Sequence, residues 1–524
     1  MRRYLLFTLP LILSLSGLIG ATATGLVFED LNANQQHDKG EPGLESVLVS
    51  NGVEIVATDS EGRYELPVSE DTIIFVIKPT GFQVHIDELN LPRGYYMHKP
   101  AGSPKLNYAG VEPTGPLPES VDFPLYRTAE SEKFSIILFG DPQPKTAREV
   151  GYFLDSAVKE LIGVKGFRFG VTLGDIVDDS LELYTPLNAG VAEIGIPWYN
   201  VYGNHDMNFD AETDALADET FERVFGPASY AFQSGGVHFI NIDNVHFPQT
   251  FTKKRYVGGF TDTQIEFVGN YLEHVPENAL IVLFVHIPLF NENQFGTTFL
   301  AEQREEFFEL FENHPNFVSF SGHTHRSEHY FFGEDYGWKH KEPHHHFNVG
   351  TTSGSWWGGP FGPDGIPLST MRDGTPRGYV YVHFDGNQYS TEYKIIGQAL
   401  ENRVQLFHPK VVGKVPWPNA RLSATFFGGS EDAKAEFKVG DRGWKNMRYT
   451  RGQTEPRYTL ERLLADESDS PALYTLPHPD ECKNLWQATL PSSMKAGTYP
   501  IIVRITDKYG KVFSTKSTYR LAAP

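Results

Sequence analysis

Five times between residues 134 and 325 an apolar run stops at a short cluster of glycine and ligand-type residues. Residues 134–139 end at Gly140-Asp141-Pro142-Gln143, and residues 169–173 end at Gly174-Asp175-Ile176-Val177-Asp178-Asp179. Residues 198–202 lead into Gly203-Asn204-His205-Asp206, residues 281–285 into His286, and residues 317–320 into the Gly322-His323-Thr324-His325 cluster. Short runs rich in β-branched and aromatic residues, closed by glycine or polar groups, read as buried strands. In an open α/β sheet, groups at the carboxyl ends of the strands face one crevice. The pattern therefore predicts an α/β unit in which Asp, Asn, Gln and His from distant segments meet. No single member carries that weight: His286 alone reads as a core histidine, and Asn204 alone as a helix cap.

In order and context the five clusters resemble the metal-binding blocks of the calcineurin-like metallophosphoesterases. The resemblance implies a sandwich of two mixed sheets flanked by helices and a centre of two divalent ions. It assigns Asp141, Gln143, Asp175 and His325 to the first ion, and Asp175, Asn204, His286 and His323 to the second, with Asp175 bridging. A bridging carboxylate offsets the repulsion of two cations held about 3.5–4 Å apart. The implied chemistry is hydrolysis of a phosphoric ester by a metal-bridged hydroxide attacking phosphorus in line. His205 is the implied proton donor to the leaving oxygen, and Asp206 the family's usual companion to it, with Asp178 and Asp179 as other partners for the imidazole. Many members carry Asp-x-His where this chain has Asp141-Pro142-Gln143. The harder oxygen ligand favours Mn²⁺ or Mg²⁺ at the first position, with Zn²⁺ or Fe at the His-rich second.

A chain of 524 residues predicts about three domains. Arg2-Arg3, the apolar stretch 5–19 and Ala21-Thr22-Ala23 have the form of a signal peptide over residues 1–23. No later run reaches spanning length, so the expectation is a soluble, exported protein, periplasmic or extracellular, with no membrane span once the signal is removed. The formal net charge of −21 disfavours nucleic-acid backbones and anionic membranes as partners. The substrate expected from this address is a small phosphoester or a phosphodiester-linked surface polymer. Cys482 is the only cysteine, which excludes an intramolecular disulfide and reads as a buried, inert thiol.

Residues 24–127 read as an N-terminal β-sandwich, with Asn51-Gly52 as a hairpin signal. The pattern resembles prealbumin-like and Cna-B-like modules. Within it, Asp30, Asn32, Asn34, Asp38 and Glu41 fall at positions 1, 3, 5, 9 and 12 of a calcium-loop spacing, although Gln35 replaces the expected glycine. A structural Ca²⁺ site and a plain solvated turn both fit that spacing. The resemblance implies a metallophosphoesterase unit over residues 128–398. Its expected helices include residues 146–163, striped by Val150, Phe153, Leu154, Ala157, Val158, Leu161 and Ile162, with capping boxes at Thr146/Glu149 and Thr261/Gln264. Residues 399–524 read as a C-terminal β-rich domain with one short helix near residues 459–465.

Three further clusters fall outside the five blocks. His344-His345-His346 on a strand alternates faces, so it reads as structural rather than as a third metal site. Trp356 and Trp357 either stack on a sugar or base, or pack inside. Arg372 and Arg377 either clamp a second phosphate or lie on an ordinary loop. A non-catalytic alternative is a surface protein that binds glycan or protein on a phosphoesterase scaffold; the intact ligand positions and adjacent His205 argue against it.

Overall fold

The computed structural model describes residues 20–248, 255–290, 298–413, 420–467 and 475–522. Most of the expected signal peptide lies outside the described residues. The first strand, Ala21–Glu29, starts within its last three positions, and Ala23 is buried. Among the described residues no helix is long and apolar enough to cross a membrane.

The N-terminal region is two four-stranded sheets face to face. One runs Arg63–Val68, Ala21–Glu29, Phe123–Arg127, Phe82–Gln83; the other runs Ile55–Ala57, Leu48–Ser50, Thr72–Ile77, Tyr95–His98. Arg63–Val68 alternates exposed and buried residues along its length, the signature of a strand with one wet face. Val27, Val49, Leu66, Ile74 and Leu125 fill the space between the sheets.

The central region is also two sheets, here with helices outside. The five-stranded sheet runs Trp198–Asn200, Phe167–Thr172, Lys133–Phe139, Gly378–Asp385, Gln388–Ile395, with its first three strands parallel. The six-stranded sheet runs Tyr230–Ser234, Val237–Asn241, Ile281–Phe284, Phe317–Ser321, His344–Val349, Ser327–Phe332. In Lys133–Phe139, Ile136 and Leu138 enter the core between the sheets, while Ile137 and Phe139 enter the core beneath the helices. Burial on both faces explains the unbroken apolar runs that carry the motif blocks.

The helical stripe over 146–163 is not one uniform helix. An α-helix over Ala147–Phe153 widens into a π-turn over Leu154–Val158 and tightens into a 3₁₀ turn over Lys159–Leu161. Val150, Phe153, Ala157, Val158 and Leu161 are buried as the stripe predicts, whereas Ile162 is left outside once the winding changes. The capping box at Thr261/Gln264 is complete. At Thr146 only half of it forms, because the Glu149 carboxylate takes the Lys145 N–H instead.

The C-terminal region pairs a four-stranded sheet with a five-stranded one around Leu422, Phe437, Trp486, Ile501 and Phe513. Its long hairpin, Gly497–Thr506 with Val512–Leu521, and its helix Pro456–Asp466 stand where the sequence places them. Cys482 is fully buried.

Candidate metal centre

Asp141, Asp175, Asn204, His286 and His323 each follow the carboxyl end of a central strand. The Oδ1 of Asp175 lies 3.2 Å from His286 Nε2, which is 3.1 Å from Asn204 Oδ1 and 3.2 Å from His323 Nδ1. Ligand atoms of Asp175, His286 and His323 all fall within 4.8 Å of one another. Beside them, His325 Nε2 is 3.5 Å from Asp141 Oδ2, and Gln143 Nε2 donates to Asp175 Oδ2 at 3.3 Å. The structure thus brings together all seven residues of the expected ligand set.

Close approach explains the glycines that punctuate the blocks. A Cβ at Gly322 would sit 2.2 Å from Asp141 Oδ1, and one at Gly174 would sit 2.5 Å from His286 Nδ1, in a left-handed conformation at φ +83°. Asp141, Gln143, Asp175, His323 and His325 themselves hold positive φ, between 35° and 76°. Such conformations cost about 1–3 kcal/mol each and persist only where the surroundings fix them. Here backbone bonds do so: His205 N–H donates to Asp175 Oδ1 at 2.9 Å, and His323 N–H to both oxygens of Asp141 at 3.0 Å.

Three observations fit this cluster to metal ions. His286 donates its Nδ1 proton to the Leu173 carbonyl at 2.8 Å and His325 hydrogen-bonds the Gly354 carbonyl through Nδ1, so both turn Nε2 inward. Gln143 Oε1 is buried with no hydrogen-bond partner, an orphan acceptor inside the cluster. Electrostatics supply the third. Burial pushes Asp141 up to about 8, while Asp175 is held well below the usual carboxylate range by His286 and His205, against its own burial. His286 rises to about 9 because Asp175 and Asp141 outweigh its desolvation. Two buried carboxylates at one point need positive charge, which divalent ions would supply in place of protons.

At the rim, His205 is 28 % exposed. Its Nδ1 is 2.6 Å from Asp179 Oδ1 and 3.7 Å from Asp178 Oδ1, and Asp178 also meets Lys145 at 3.4 Å. Burial opposes its charge, but Asp175, Asp179 and Asp178 raise the imidazole to about 9, so it is a proton donor near neutral pH. Asp206 is not its partner. That carboxylate is fully buried and accepts the N–H groups of Ile176 and Gly203 at 3.1 and 3.0 Å and the Tyr184 hydroxyl at 2.9 Å. It ties the Asp175 loop to the Asn204 loop.

The remaining expected residues divide. Trp356 lies half-buried with its ring stacked 4.0 Å from that of His325. Trp357 is packed inside: its Nε1 donates to the Pro142 carbonyl at 3.0 Å, and the Arg377 guanidinium lies over its ring. Arg377 is itself buried and donates to Ser156, so it forms part of the packing rather than a phosphate clamp. Arg372 reaches the Thr324 carbonyl, between His323 and His325, at 3.1 Å. In the N-terminal loop, Asp30 accepts the N–H groups of Asn32, Ala33 and Gln35, and Glu41 those of Leu31 and Asp38. Asn32 and Asn34 both donate to Asp38, so a closed hydrogen-bonded turn stands where the calcium spacing was read.

One site residue carries no sequence signal. Tyr256 presents its ring edge-on to His323 at 6.0 Å, and burial together with Asp175, Asp179 and Asp141 pushes its hydroxyl pKa up. It follows no motif, and only tertiary contact reveals it.

A family profile described as Calcineurin-like phosphoesterase matches residues 134–327. Profiles for the N terminal and the C terminal of Calcineurin-like phosphoesterase match residues 31–109 and 346–513. No curated protein matches the chain. Among solved structures, purple acid phosphatase PPD1 from yellow lupin (Lupinus luteus) seeds is 13 % identical, with a TM-score of 0.37 over 67 % of each chain. Vps29 from Chaetomium thermophilum is 10 % identical, with a TM-score of 0.20, covering 74 % of this chain and 98 % of its own. Likenesses this loose bear on neither chemistry nor substrate.

Proposed function

For a chain that belongs to the calcineurin-like phosphoesterase family and is a metal-dependent phosphoesterase, we propose that it works as an exported hydrolase of phosphoric esters, in the periplasm or outside the cell. The observation that carries the chemistry is the convergence of Asp141, Gln143, Asp175, Asn204, His286, His323 and His325, with Gln143 Oε1 left as a buried orphan acceptor. When bound, two divalent ions supply Lewis acidity toward the phosphoryl oxygens and an acidified water as nucleophile. Asp141 and Gln143 favour Mn²⁺ or Mg²⁺ on their side, and His286 with His323 favours Zn²⁺ or Fe on the other.

The protein's own part is orientation and proton delivery. His205 holds a proton at the rim, oriented by Asp179, for the oxygen that leaves phosphorus. Asp206 fixes the two loops that carry Asp175 and His205, and the positions of Trp356 against His325 and of Arg372 against Thr324 support both as substrate contacts. The basic leader followed by an apolar stretch supports export, and the acidic surface supports a small phosphoester or a surface polymer over nucleic acid. A Ca²⁺ ion in the Asp30–Glu41 turn is the matching proposal for the N-terminal region; a melting temperature indifferent to Ca²⁺ would remove it.

The test is hydrolysis of bis-p-nitrophenyl phosphate and p-nitrophenyl phosphate with added Mn²⁺, beside metal analysis and an Asp175→Asn control. Diester cleavage that the control abolishes makes it a phosphodiesterase; monoester cleavage alone makes it a phosphatase. Silence on both esters across Mn²⁺, Zn²⁺, Fe²⁺ and Mg²⁺ would sink the hydrolase reading for substrates of this kind.

A further inference from the structure

Residues 480–484 bring the C-terminal domain to the rim of the metal-ligand cluster. The Asp480 N–H donates to the Arg372 carbonyl at 2.8 Å, and the Asn484 side-chain amide donates to the Ser327 carbonyl at 3.1 Å. Ser327 opens the strand that follows His325, so residues 480–484 are pinned on the catalytic domain beside the His323-Thr324-His325 turn. The Asp480 carboxylate lies between two guanidiniums, 3.6 Å from Arg372 Nε and 3.5 Å from Arg326 Nη1.

The two arginines are not equivalent. The Arg326 side chain is 6 % exposed, that of Arg372 30 %, so Arg372 is the one that presents its head at the rim. Its Nη2 donates to the Thr324 carbonyl, while its Nε is buried and makes no hydrogen bond. A guanidinium has five N–H donors, and the bond to Thr324 takes one. A planar fork next to two ligand histidines suits paired oxygens of a phosphoryl group better than a lysine would. Asp480 supplies what the fork needs to stay there. Glu328 also offsets Arg326, at 3.6 Å, so without the Asp480 charge the Arg372 side chain would keep only its hydrogen bond to Thr324 against the repulsion of Arg326.

We propose that Arg372 binds the phosphoryl oxygens of the substrate and that Asp480 is its positioning residue, so that the C-terminal domain completes the substrate site. The proposal rests on the metallophosphoesterase reading and adds a contact that the catalytic domain cannot hold alone. An arginine already ordered by Thr324 and Asp480 has lost its rotamer freedom before substrate arrives, which tightens binding without altering the chemical step.

A double-mutant cycle in the full-length, Mn²⁺-loaded protein tests it. The variants are Asp480→Asn, Arg372→Ala and the pair, read by calorimetric titration with inorganic phosphate and by KM and kcat on p-nitrophenyl phosphate. Arg372→Ala is expected to weaken phosphate about tenfold and to raise KM alike, with kcat within about threefold. Asp480→Asn is expected to cost about three- to tenfold alone and nothing further in the Arg372→Ala background, with Asp480→Glu restoring part of the loss. A merely structural Asp480 would lower the melting temperature and keep its effect in both backgrounds. Unchanged phosphate affinity in Asp480→Asn, an undiminished effect in the double variant, or a wild type that binds no phosphate would each overturn the proposal. If the wild type binds phosphate but hydrolyses no ester, the hydrolase reading fails while the cycle still decides the roles of Arg372 and Asp480.

Discussion

The six-stranded sheet carries two sets of histidines, one at each end. His286, His323 and His325 follow the carboxyl ends of Ile281–Phe284 and Phe317–Ser321, whereas His344, His345 and His346 open the parallel neighbour, with His345 opposite Val318. The second set meets hydroxyls and, at His345, the Lys508 amine at 3.4 Å, but no carboxylate among the described residues. His344 and His346 each contact the Ser319 hydroxyl at 2.7 Å, His346 reaches Ser321 at 2.9 Å, and His345 reaches the Tyr389 hydroxyl at 2.6 Å. Burial there drives His346 down to about 3 and the other two well below their usual value. Around His286, Asp175 and Asp141 reverse the direction and hold positive charge. His286 and His346 share residue type and full burial; what separates them is the carboxylates beside His286. His325, at the same end as His286, is lowered by burial to about 3 as His346 is, which leaves it in the neutral form that a metal accepts.

The comparison breaks if the two sets respond alike to mutation. His286→Ala should remove bound metal and lower hydrolysis by about 10³-fold or more, seen by elemental analysis and turnover. His346→Leu should leave metal stoichiometry and kcat intact. Retained metal in the first variant, or lost metal in the second, would show that the carboxylate argument is wrong.

Next in size is the proton donor. His205→Gln should lower kcat about 10²–10⁴-fold, more on alkyl than on p-nitrophenyl esters, because the poorer leaving group needs the proton. Asp179→Asn should cost about tenfold by releasing the imidazole that it orients at 2.6 Å. Equal losses on both leaving groups would remove the proton-donor role from His205.

Smaller still is the stability effect at the other end of the sheet. His346→Leu should cost about 1–3 kcal/mol in chemical denaturation, the range for a buried hydrogen-bonding group replaced by an apolar one. Acidification sharpens the same point. The folded value of His346 lies near 3, below its usual 6.5, so its stability contribution is whole above pH 6.5. As pH falls from 6.5 toward 3, only the unfolded chain takes the proton, and stability drains by up to ~1.4 kcal/mol per pH unit. His329, lowered to about 3, and His238, lowered to about 4, add to the same window. His346→Leu should flatten the pH dependence of unfolding between pH 6 and 4, and an unchanged slope would show that His346 does not titrate as burial dictates.

The central fold was legible because its strands are written locally, and the candidate ligand set through the resemblance of the blocks that follow them. Apolar runs such as residues 134–139 are continuous since Ile136 and Ile137 face different cores, and each ends where its ligand must project. The glycines of the blocks were legible as punctuation, but the collision of a Gly322 Cβ with Asp141 is a fact about two segments far apart in the chain. Pairing of side chains was less legible. Nothing local tells Asp179 from Asp206 as the companion of His205, and the choice falls to loop geometry: Asp206 turns inward to three backbone N–H groups and the Tyr184 hydroxyl while Asp179 turns out. Trp356 and Trp357 are neighbours of one residue type, yet one stacks on a ligand and the other is sealed under Arg377.

The sequence by itself determined the strands of the core and the β-rich and α/β regions they build, because hydrophobic period depends on near neighbours, while the seven candidate ligands were named by the resemblance of their blocks to a family. Tertiary structure alone decided the partner of His205, the structural work of Asp206, the approach of Tyr256 to His323 and the arrival of Asp480 at Arg372. Those contacts join residues whose separation along the chain carries no record of their distance in space. They are set by how the loops pack once the strands are already paired.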